Sequence, residues 1–301
     1  MKGNIKQSDT IIPQGTSPTD VPKDNSQDRR SFGSAPTKKS KGWGNTSKGV
    51  SKIVLNPLLN IYEVDGVQLT RVTKFLDKYK KPFDMMGVSI GVTSANNKKG
   101  ITNTLSPQDR VHYWNLNSTR STSYGTGMHV FAEMYDMLPD ETIPEYPKEH
   151  AVVKFIKDTA PYYELIGNEL RVFNKGYKLA GTIDRLLRNK VTGKYVIMDW
   201  KSSSNIDKSY NKMKAPFNEY PQCKRIEYEM QLLTYKYLGN IELPSKQIVH
   251  ITPDQFDNCI IVILKNNGSY QVERVNVVEE SLVYSELERM VTPEDALTEL
   301  V

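Results

Sequence analysis

The sequence has few of the residues that build covalent or cysteine-ligated frameworks. Only two of its 301 residues are cysteines, Cys223 and Cys259, and neither lies in a CxxC pair. A disulfide framework, a four-cysteine zinc site and a four-cysteine iron–sulfur cluster are therefore excluded within one chain. Long apolar runs are also missing, since none approaches the ~20 residues that cross a bilayer. We therefore expect no membrane partner.

Charge of either sign is only weakly in excess. The formal net charge of +5 at pH 7 permits an anionic partner without requiring one. Residues 1–50 are rich in Ser, Thr, Pro, Gly, Lys and Asp and contain almost no large apolar side chains. Such a segment buries too little surface to offset its ordering entropy, so it predicts a disordered polar and basic tail. Its lysines and Trp43 suit either loose contact with DNA phosphates or solubility.

Ordered structure is expected from about residue 51 onward. The segment "NIYEVDGVQLT" predicts a hairpin that turns at Asp65-Gly66, and a short helix follows it and ends at Pro82. Residues 94–104 have the composition of a loop. A helix is predicted from about Ser123 to Met137, with its apolar residues on one broad face.

The block from Glu169 to Leu238 carries the clearest pattern. Three strands precede a long polar connection and the helix "KRIEYEMQLLTYKYL", and further strands and an acidic helix follow. This order of strands and helices predicts an α/β (α+β) fold.

Two neighbouring strands of this block carry charges among apolar residues. Side chains alternate along a strand, so Asp199 and Lys201 share one face of "VIMDWK". Asp184 lies on the preceding strand, and the turn at Thr192-Gly193 allows the two strands to pair. Two carboxylates held together repel each other unless a cation lies between them. Hard oxygen ligands suit Mg²⁺ or Mn²⁺, and Lys201 would orient a water or stabilise charge on a phosphate.

The alternative to a functional role for these residues is a purely structural one. A D-x-K triplet by itself is more often a surface ion pair that contributes under ~1 kcal/mol. Two flanking helices favour function, because His129 lies one turn before Glu133, and Gln231 one turn before Tyr235. Each of these pairs, taken alone, also fits a half-buried helix face.

Together these segments resemble a known family. "GTGMH", "GTIDRLL", "VIMDWKSS" and "QLLTY" follow the order and approximate spacing of the RecB-like branch of the PD-(D/E)xK nuclease superfamily. A helical histidine, a G-x-x-D strand, a D-x-K strand and a Q-x-x-x-Y helix mark that branch. The resemblance covers about His129 to Leu238. Upstream, "YEVDGVQLTRVTKFL" is similar to the leading segment of phage exonucleases and of the mitochondrial genome maintenance exonuclease.

The resemblance implies a role for each matching residue. Metal ligands would be His129, Asp184, Asp199 and the backbone carbonyl of Trp200. The catalytic residues would be Asp184, Asp199 and Lys201. Supporting or DNA-binding residues would be Gln231 and Tyr235, with Glu169 as a further acidic residue.

The same resemblance implies a fold and an activity. The expected fold is a restriction-endonuclease-like core, a central mixed β-sheet flanked by helices, in a single nuclease domain at 51–301. Within it, a helical N-terminal part would span about 70–160 and the PD-(D/E)xK core about 123–277. The expected cofactor is Mg²⁺ or Mn²⁺, with no iron–sulfur cluster.

The activity implied is metal-dependent hydrolysis of DNA, with an exonuclease acting on ends or single strands preferred. A structure- or sequence-specific endonuclease is one alternative, and a non-catalytic DNA-binding protein that retains the fold is another. Replication and recombination proteins would be candidate partners. By analogy with phage nucleases, the expected compartment is the cytoplasm of a bacterial or phage-infected cell.

Overall fold

A computed structural model describes residues 52–56, 59, 61–203, 205–209 and 211–291. The tail predicted over residues 1–50 lies outside the described residues. The strands are β1 Ile53–Asn56, β2 Ile61–Val64, β3 Val67–Arg71, β4 Tyr163–Asn174, β5 Leu179–Asn189, β6 Tyr195–Lys201, β7 Asn240–Glu242, β8 Ile248–His250, β9 Phe256–Leu264 and β10 Tyr270–Arg274. The α-helices are α1 Val72–Leu76, α2 Met85–Lys98, α3 Pro107–Met137, α4 Pro147–Thr159, α5 Lys224–Leu238 and α6 Glu280–Glu288.

The strands form one mixed sheet with β5 near its centre. β5 pairs antiparallel with β4 along most of its length and antiparallel with β6 near its C-terminal end. Two pairings are parallel, β3 with β5 and β6 with β9. The remaining strands extend the sheet through antiparallel pairs. The predicted central mixed sheet is therefore confirmed.

Helices cover both faces of the sheet. On one face, α1, α5 and α6 pack over an apolar cluster that includes Leu186 and Ile197. On the other face, α3 and α4 pack over a second cluster that includes Met198 and Trp200. Successive β6 side chains thus enter opposite clusters, as the pleat requires. Within the described ranges, no helix is both long enough and apolar enough to cross a membrane.

The N-terminal helices differ most from the sequence predictions. Helix α3 begins at Pro107, well before the expected Ser123, because Pro107 suits a first helical position and Ser106 caps it by accepting the Asp109 N–H. The loop predicted for residues 94–104 is wrong in its first part, since α2 continues to Lys98. Helix α4 lies within the helical part expected over about 70–160, although its own bounds were not predicted. On α2 the buried residues amount to Ser89 alone, so an apolar stripe was missing from the sequence.

Helix α5 and its ends agree with the prediction. Its apolar residues Ile226, Met230 and Leu233 recur one turn apart and are buried. Gly239 follows the helix with a φ of 75°, a left-handed conformation that glycine adopts without steric cost. This helix lies over the part of the sheet that carries the charged residues.

Candidate active site

Three side chains from three different elements converge at one end of the sheet. Nδ1 of His129, on α3, lies 3.3 Å from Oε1 of Glu169 on β4 and 3.5 Å from Oδ2 of Asp184 on β5. One ligand atom from each residue lies within 4.8 Å of the other two. We call these three residues the His–Glu–Asp cluster.

Strand pairing explains why the two acids meet. Asn168 pairs with Arg185 and Leu170 with Ile183, so the register sets the intervening Glu169 and Asp184 opposite each other. The backbone of Glu169 has a φ of 49°, a conformation that few residues other than glycine adopt. Such strain tends to persist at functional positions, where the surrounding structure holds it.

The second charged group of the site is the pair Asp199–Lys201 on β6. The Lys201 Nζ lies 2.5 Å from the Asp199 Oδ2, and the Asp199 side chain is 3% exposed. Burial and the Asp184 carboxylate raise the pKa of Asp199 to about 7, although Lys201 opposes the shift. Burial also disfavours the charged form of Lys201, but the negative charges of Asp199 and Asp184 outweigh this effect of burial and raise the pKa of the lysine. The lysine is therefore held as a cation.

The strand β6 also contacts the cluster through its backbone. The peptide N–H of Trp200 donates to Oδ2 of Asp184 at 2.9 Å. The register between β5 and β6, Arg185 with Met198, would bring Asp184 opposite Asp199 if continued by one position. Asp199 and Lys201 thus adjoin the His–Glu–Asp cluster without joining it.

Electrostatic interactions in the cluster act on the histidine. Burial lowers the pKa of His129, but the hydrogen bond to Glu169 and the charges of Asp184 and Glu169 exceed that effect and raise the pKa. The two carboxylates therefore attract positive charge to this point. A proton on His129 supplies such charge, and a divalent cation between the three residues would supply more.

The structure groups the predicted metal ligands differently from the sequence analysis. His129 and Asp184 lie together as expected, but their third neighbour is Glu169, which the resemblance offered only as a further acidic residue. Asp199 is instead ion-paired with Lys201. The contribution of the Trp200 carbonyl and the role of each residue stay predictions.

The two residues predicted on α5 contact each other and the sheet. Nε2 of Gln231 donates to the hydroxyl of Tyr235 at 2.9 Å. Burial raises the pKa of Tyr235, with Gln231 opposing the shift. A Cβ on Gly181 would collide with the Tyr235 ring and lie 2.8 Å from its hydroxyl. The glycine of the G-x-x-D motif therefore makes room for the tyrosine of the Q-x-x-x-Y motif.

Sequence reasoning missed Tyr228, which also lies on α5. The Lys201 Nζ lies 4.4 Å from the centroid of its ring, within the range of a cation–π contact. Burial raises the pKa of the Tyr228 hydroxyl. Tyr228 lies three residues before Gln231 and seven before Tyr235, a spacing that sets all three on one face of a helix. This spacing was the signal in the sequence that could have identified Tyr228 as a site residue.

A buried polar group beside the site was also missed. The terminal guanidinium nitrogens of Arg185, Nη1 and Nη2, both donate to the carboxylate of Asp136, and Nη1 also donates to Oδ1 of Asn168 at 3.2 Å. Asn168 donates in turn to Oδ2 of Asp136 at 2.8 Å. Each of the three residues lies close in sequence to a residue of the His–Glu–Asp cluster. Asn168 precedes Glu169, Arg185 follows Asp184, and Asp136 lies two helical turns after His129. We call these three residues the Asp–Arg–Asn group.

Residues 110–247 match the family model of the PD-(D/E)XK nuclease superfamily. The matched region covers somewhat under half of the 301 residues and includes every candidate site residue described above. No curated protein matches the chain. The match supports a metal-dependent nuclease in general, and nucleic acid as its substrate.

The residues of the matched region fit a divalent metal of the kind that PD-(D/E)XK nucleases use. Two carboxylates and one imidazole, converging from three elements, form the type of ligand set that binds divalent cations. His129 is 26% exposed and Asp184 is 11% exposed, so the cluster is partly shielded from solvent. Glu169 is 41% exposed, which leaves an open side for water and a phosphate.

Proposed function

We propose that this protein is a metal-dependent deoxyribonuclease, and more specifically an exonuclease that acts on DNA ends or single strands. The observation that carries the proposal is the His–Glu–Asp cluster lying beside the Asp199–Lys201 pair within the region that matches the nuclease model. A divalent cation in the cluster would act as a Lewis acid, and the ammonium group beside it would stabilise negative charge during phosphodiester hydrolysis. The resemblance of the four motifs to the RecB-like branch supports the exonuclease assignment.

We propose Mg²⁺ or Mn²⁺ as the metal, held by His129, Glu169 and Asp184, with Asp199 close by. Two carboxylates favour these hard cations, and the imidazole nitrogen makes Mn²⁺ a good alternative to Mg²⁺. The bound ion would supply Lewis-acid activation of the scissile phosphate and of the attacking water.

The chain's own residues would divide the remaining work. Lys201 is the proposed catalytic cation, and its raised pKa favours stabilising negative charge on the phosphate over accepting a proton. Asp199 would orient this ammonium through the ion pair, and the Tyr228 ring would support it through the cation–π contact. Asp184 is held in place by the Trp200 N–H, and Gln231 and Tyr235 support the same end of the sheet.

The central test is digestion of 5′- and 3′-labelled single- and double-stranded DNA with Mg²⁺ or Mn²⁺. Release of mononucleotides or short products from one labelled end is the expected result. Lys201→Ala should abolish cleavage without unfolding the protein, and EDTA should abolish cleavage by the unaltered chain. Full activity of purified Lys201→Ala protein, or in EDTA, would contradict the proposal.

Two alternatives remain distinct outcomes of simple assays. Cleavage of closed circular DNA would favour a structure- or sequence-specific endonuclease. A non-catalytic DNA-binding protein would bind DNA with no metal-dependent cleavage, and calorimetric titration with Mn²⁺ would then detect no tight site. The resemblance to phage exonucleases also supports a role in replication, repair or recombination inside a bacterial or phage-infected cell.

A further inference from the structure

Two cavities open beside the candidate active site and meet at Ser202 and Leu264. The inner cavity has a volume of about 470 Å³ and reaches Lys201 and His129. The outer cavity has a volume of about 330 Å³ and includes Lys148 and Lys265. We call the two cavities together the basic groove. It leads from the catalytic ammonium to the N-terminal end of α4 and the end of β9.

The lining of the basic groove is suited to a polyanion. Among the described residues that line it, hydroxyl, amide and lysine side chains are present and no carboxylate is. A third cavity, of about 540 Å³, borders the His–Glu–Asp cluster at Glu169 and has a mixed lining. Its charged residues are four acids and two bases, Glu133, Asp136, Glu169, Glu242, Arg171 and Lys246, and both bases are ion-paired with Glu242. A phosphate backbone that reaches the cluster is therefore attracted more strongly along the basic groove, whose described lining has no carboxylate, than by the mixed charges of the third cavity.

Lys148 is the cation best placed in the groove to bind a phosphate. Its Nζ donates to the carbonyl oxygen of Ser202 at 2.6 Å, directly after the catalytic Lys201 in the chain. Within the described ranges no carboxylate forms an ion pair with it, and burial lowers its pKa. A half-buried ammonium with free N–H donors is stabilised by an anion, and a phosphate supplies one.

Beside this lysine, the ring of Tyr124 is accessible to a nucleobase. The Lys148 Nζ lies over one face of the ring, 5.0 Å from its centroid, and the residue is 38% exposed. Tyr124 lies next to the groove without lining either cavity, and a base would stack on the ring face that Lys148 does not cover. Proteins that bind single strands combine a cationic path for the backbone with aromatic rings on which bases stack. In a duplex each base is already paired with the opposite strand and stacked on its neighbours. A ring that stacks on a base therefore favours an unpaired strand.

We propose that the basic groove binds the single-stranded DNA segment adjacent to the scissile phosphate, with Lys148 contacting a neighbouring phosphate and Tyr124 stacking on an unpaired base. This inference rests on the proposed nuclease function and specifies its substrate as a single strand. The hydroxyl-rich inner cavity would accommodate the sugar–phosphate backbone between the scissile phosphate at Lys201 and the neighbouring phosphate at Lys148. Lys265 extends the cationic path at the outer end.

The test is equilibrium binding of fluorescein-labelled oligo(dT) to the full chain in EDTA, over a series of salt concentrations. Each phosphate contact contributes about 0.7 to the slope of log K against log [salt] for a single strand. Lys148→Gln should reduce the slope by about this amount and weaken binding ~5-fold at about 0.1 M salt. Lys157→Gln is the matched control, because Lys157 is an exposed lysine on the same helix outside both cavities.

The ring is tested separately from the charge. Tyr124→Ala should weaken oligo(dT) binding about 5- to 100-fold without changing the salt slope, since stacking is not a counterion effect. Tyr124→Phe retains the ring and should bind like the unaltered protein. Both variants should bind a blunt DNA hairpin as the unaltered protein does.

The outcomes separate this inference from the nuclease assignment. If the unaltered protein cleaves DNA but Lys148→Gln and Tyr124→Ala bind oligo(dT) normally, the groove assignment is overturned and the nuclease assignment stands. If Lys148→Gln lowers cleavage with an unchanged salt slope, the lysine acts only on the Ser202 backbone and the inference is also overturned. Absence of metal-dependent cleavage, with the groove variants still impaired in binding, would instead refute the nuclease function.

Discussion

The Asp–Arg–Asn group provides a demanding test of how the fold positions the candidate metal site. Arg185 is 4% exposed, and the side chain of Asp136 is 9% exposed. Removing one partner of a buried ion pair leaves the other charge uncompensated, which typically costs ~3–5 kcal/mol. Asp136→Ala should therefore lower the free energy of unfolding by about this amount. At about 2–4 °C per kcal/mol for a domain of 150–250 residues, the melting temperature should fall by ~6–20 °C.

Replacing both partners should cost much less than replacing one. The Arg185 Nε has no hydrogen-bond partner among the described residues, so the native arrangement already contains one unsatisfied buried donor. In Asp136→Leu/Arg185→Met, both charges of this buried pair are removed together. The free energy of unfolding should therefore approach that of the unaltered protein. The resulting double-mutant cycle should show strong coupling between the two positions.

Metal affinity should not recover with stability in this double variant. The ion pair joins α3, which carries His129, to β5, which carries Asp184, and outer partners of metal ligands usually contribute 10–100-fold in affinity. Calorimetric titration with Mn²⁺ should therefore show weaker binding in the single and double variants alike. This separation of affinity from stability distinguishes a positioning role from simple support of the fold.

Urea unfolding followed by circular dichroism, together with the calorimetry, measures both quantities. The matched control is the pair Arg188–Glu164, which joins β4 to β5 at the surface, where both side chains are about half exposed. Glu164→Ala should leave unfolding and Mn²⁺ affinity nearly unchanged, because solvent screens an exposed pair. Equal, small effects of Asp136→Ala and Glu164→Ala would refute the reasoning.

Three further predictions concern single residues of the site. Glu169→Gln should weaken Mn²⁺ binding by calorimetry at least ~10-fold, since it removes one charged ligand, whereas Glu164→Gln on the same strand should not. Gly181→Ala should lower the free energy of unfolding in urea by ~1–3 kcal/mol through its clash with Tyr235, and Tyr235→Leu should relieve most of that loss; an equal loss in both backgrounds would count against the clash. Tyr228→Leu should slow single-turnover DNA cleavage ~2- to 30-fold by removing a cation–π contact, and Tyr228→Phe, which keeps the ring, should restore the rate.

The sequence predicted those parts of the fold whose burial leaves a periodic pattern. The strands from β4 to β6 and helix α5 bury apolar residues at regular spacing, so their presence and order could be inferred. Helix α2 and the first half of α3 were missed or shortened because most of their residues are exposed, and polar composition resembles that of a loop. Local capping by Asp84 and Ser106 was the remaining signal.

In the candidate site, too, some residues could be predicted from the sequence and others could not. Strand alternation was enough to pair Asp199 with Lys201, and the hairpin brought Asp184 near them. The membership of Glu169 in the cluster depends on its left-handed backbone and on the register between β4 and β5. Neither property can be inferred from residue types, because both arise from tertiary pairing.

The placement of charge around the site also constrains how a substrate approaches. The His–Glu–Asp cluster borders a cavity of mixed charge at Glu169 and the basic groove, whose described lining has no carboxylate, at His129. Because the groove lining carries lysines without carboxylates, a phosphate backbone is attracted more strongly along this route, which passes Lys201 before it reaches the cluster. A preferred route to the proposed metal site would suit a free strand end better than the middle of a closed duplex. This asymmetry is a physical reason, independent of the motif resemblance, to prefer an exonuclease acting on single strands.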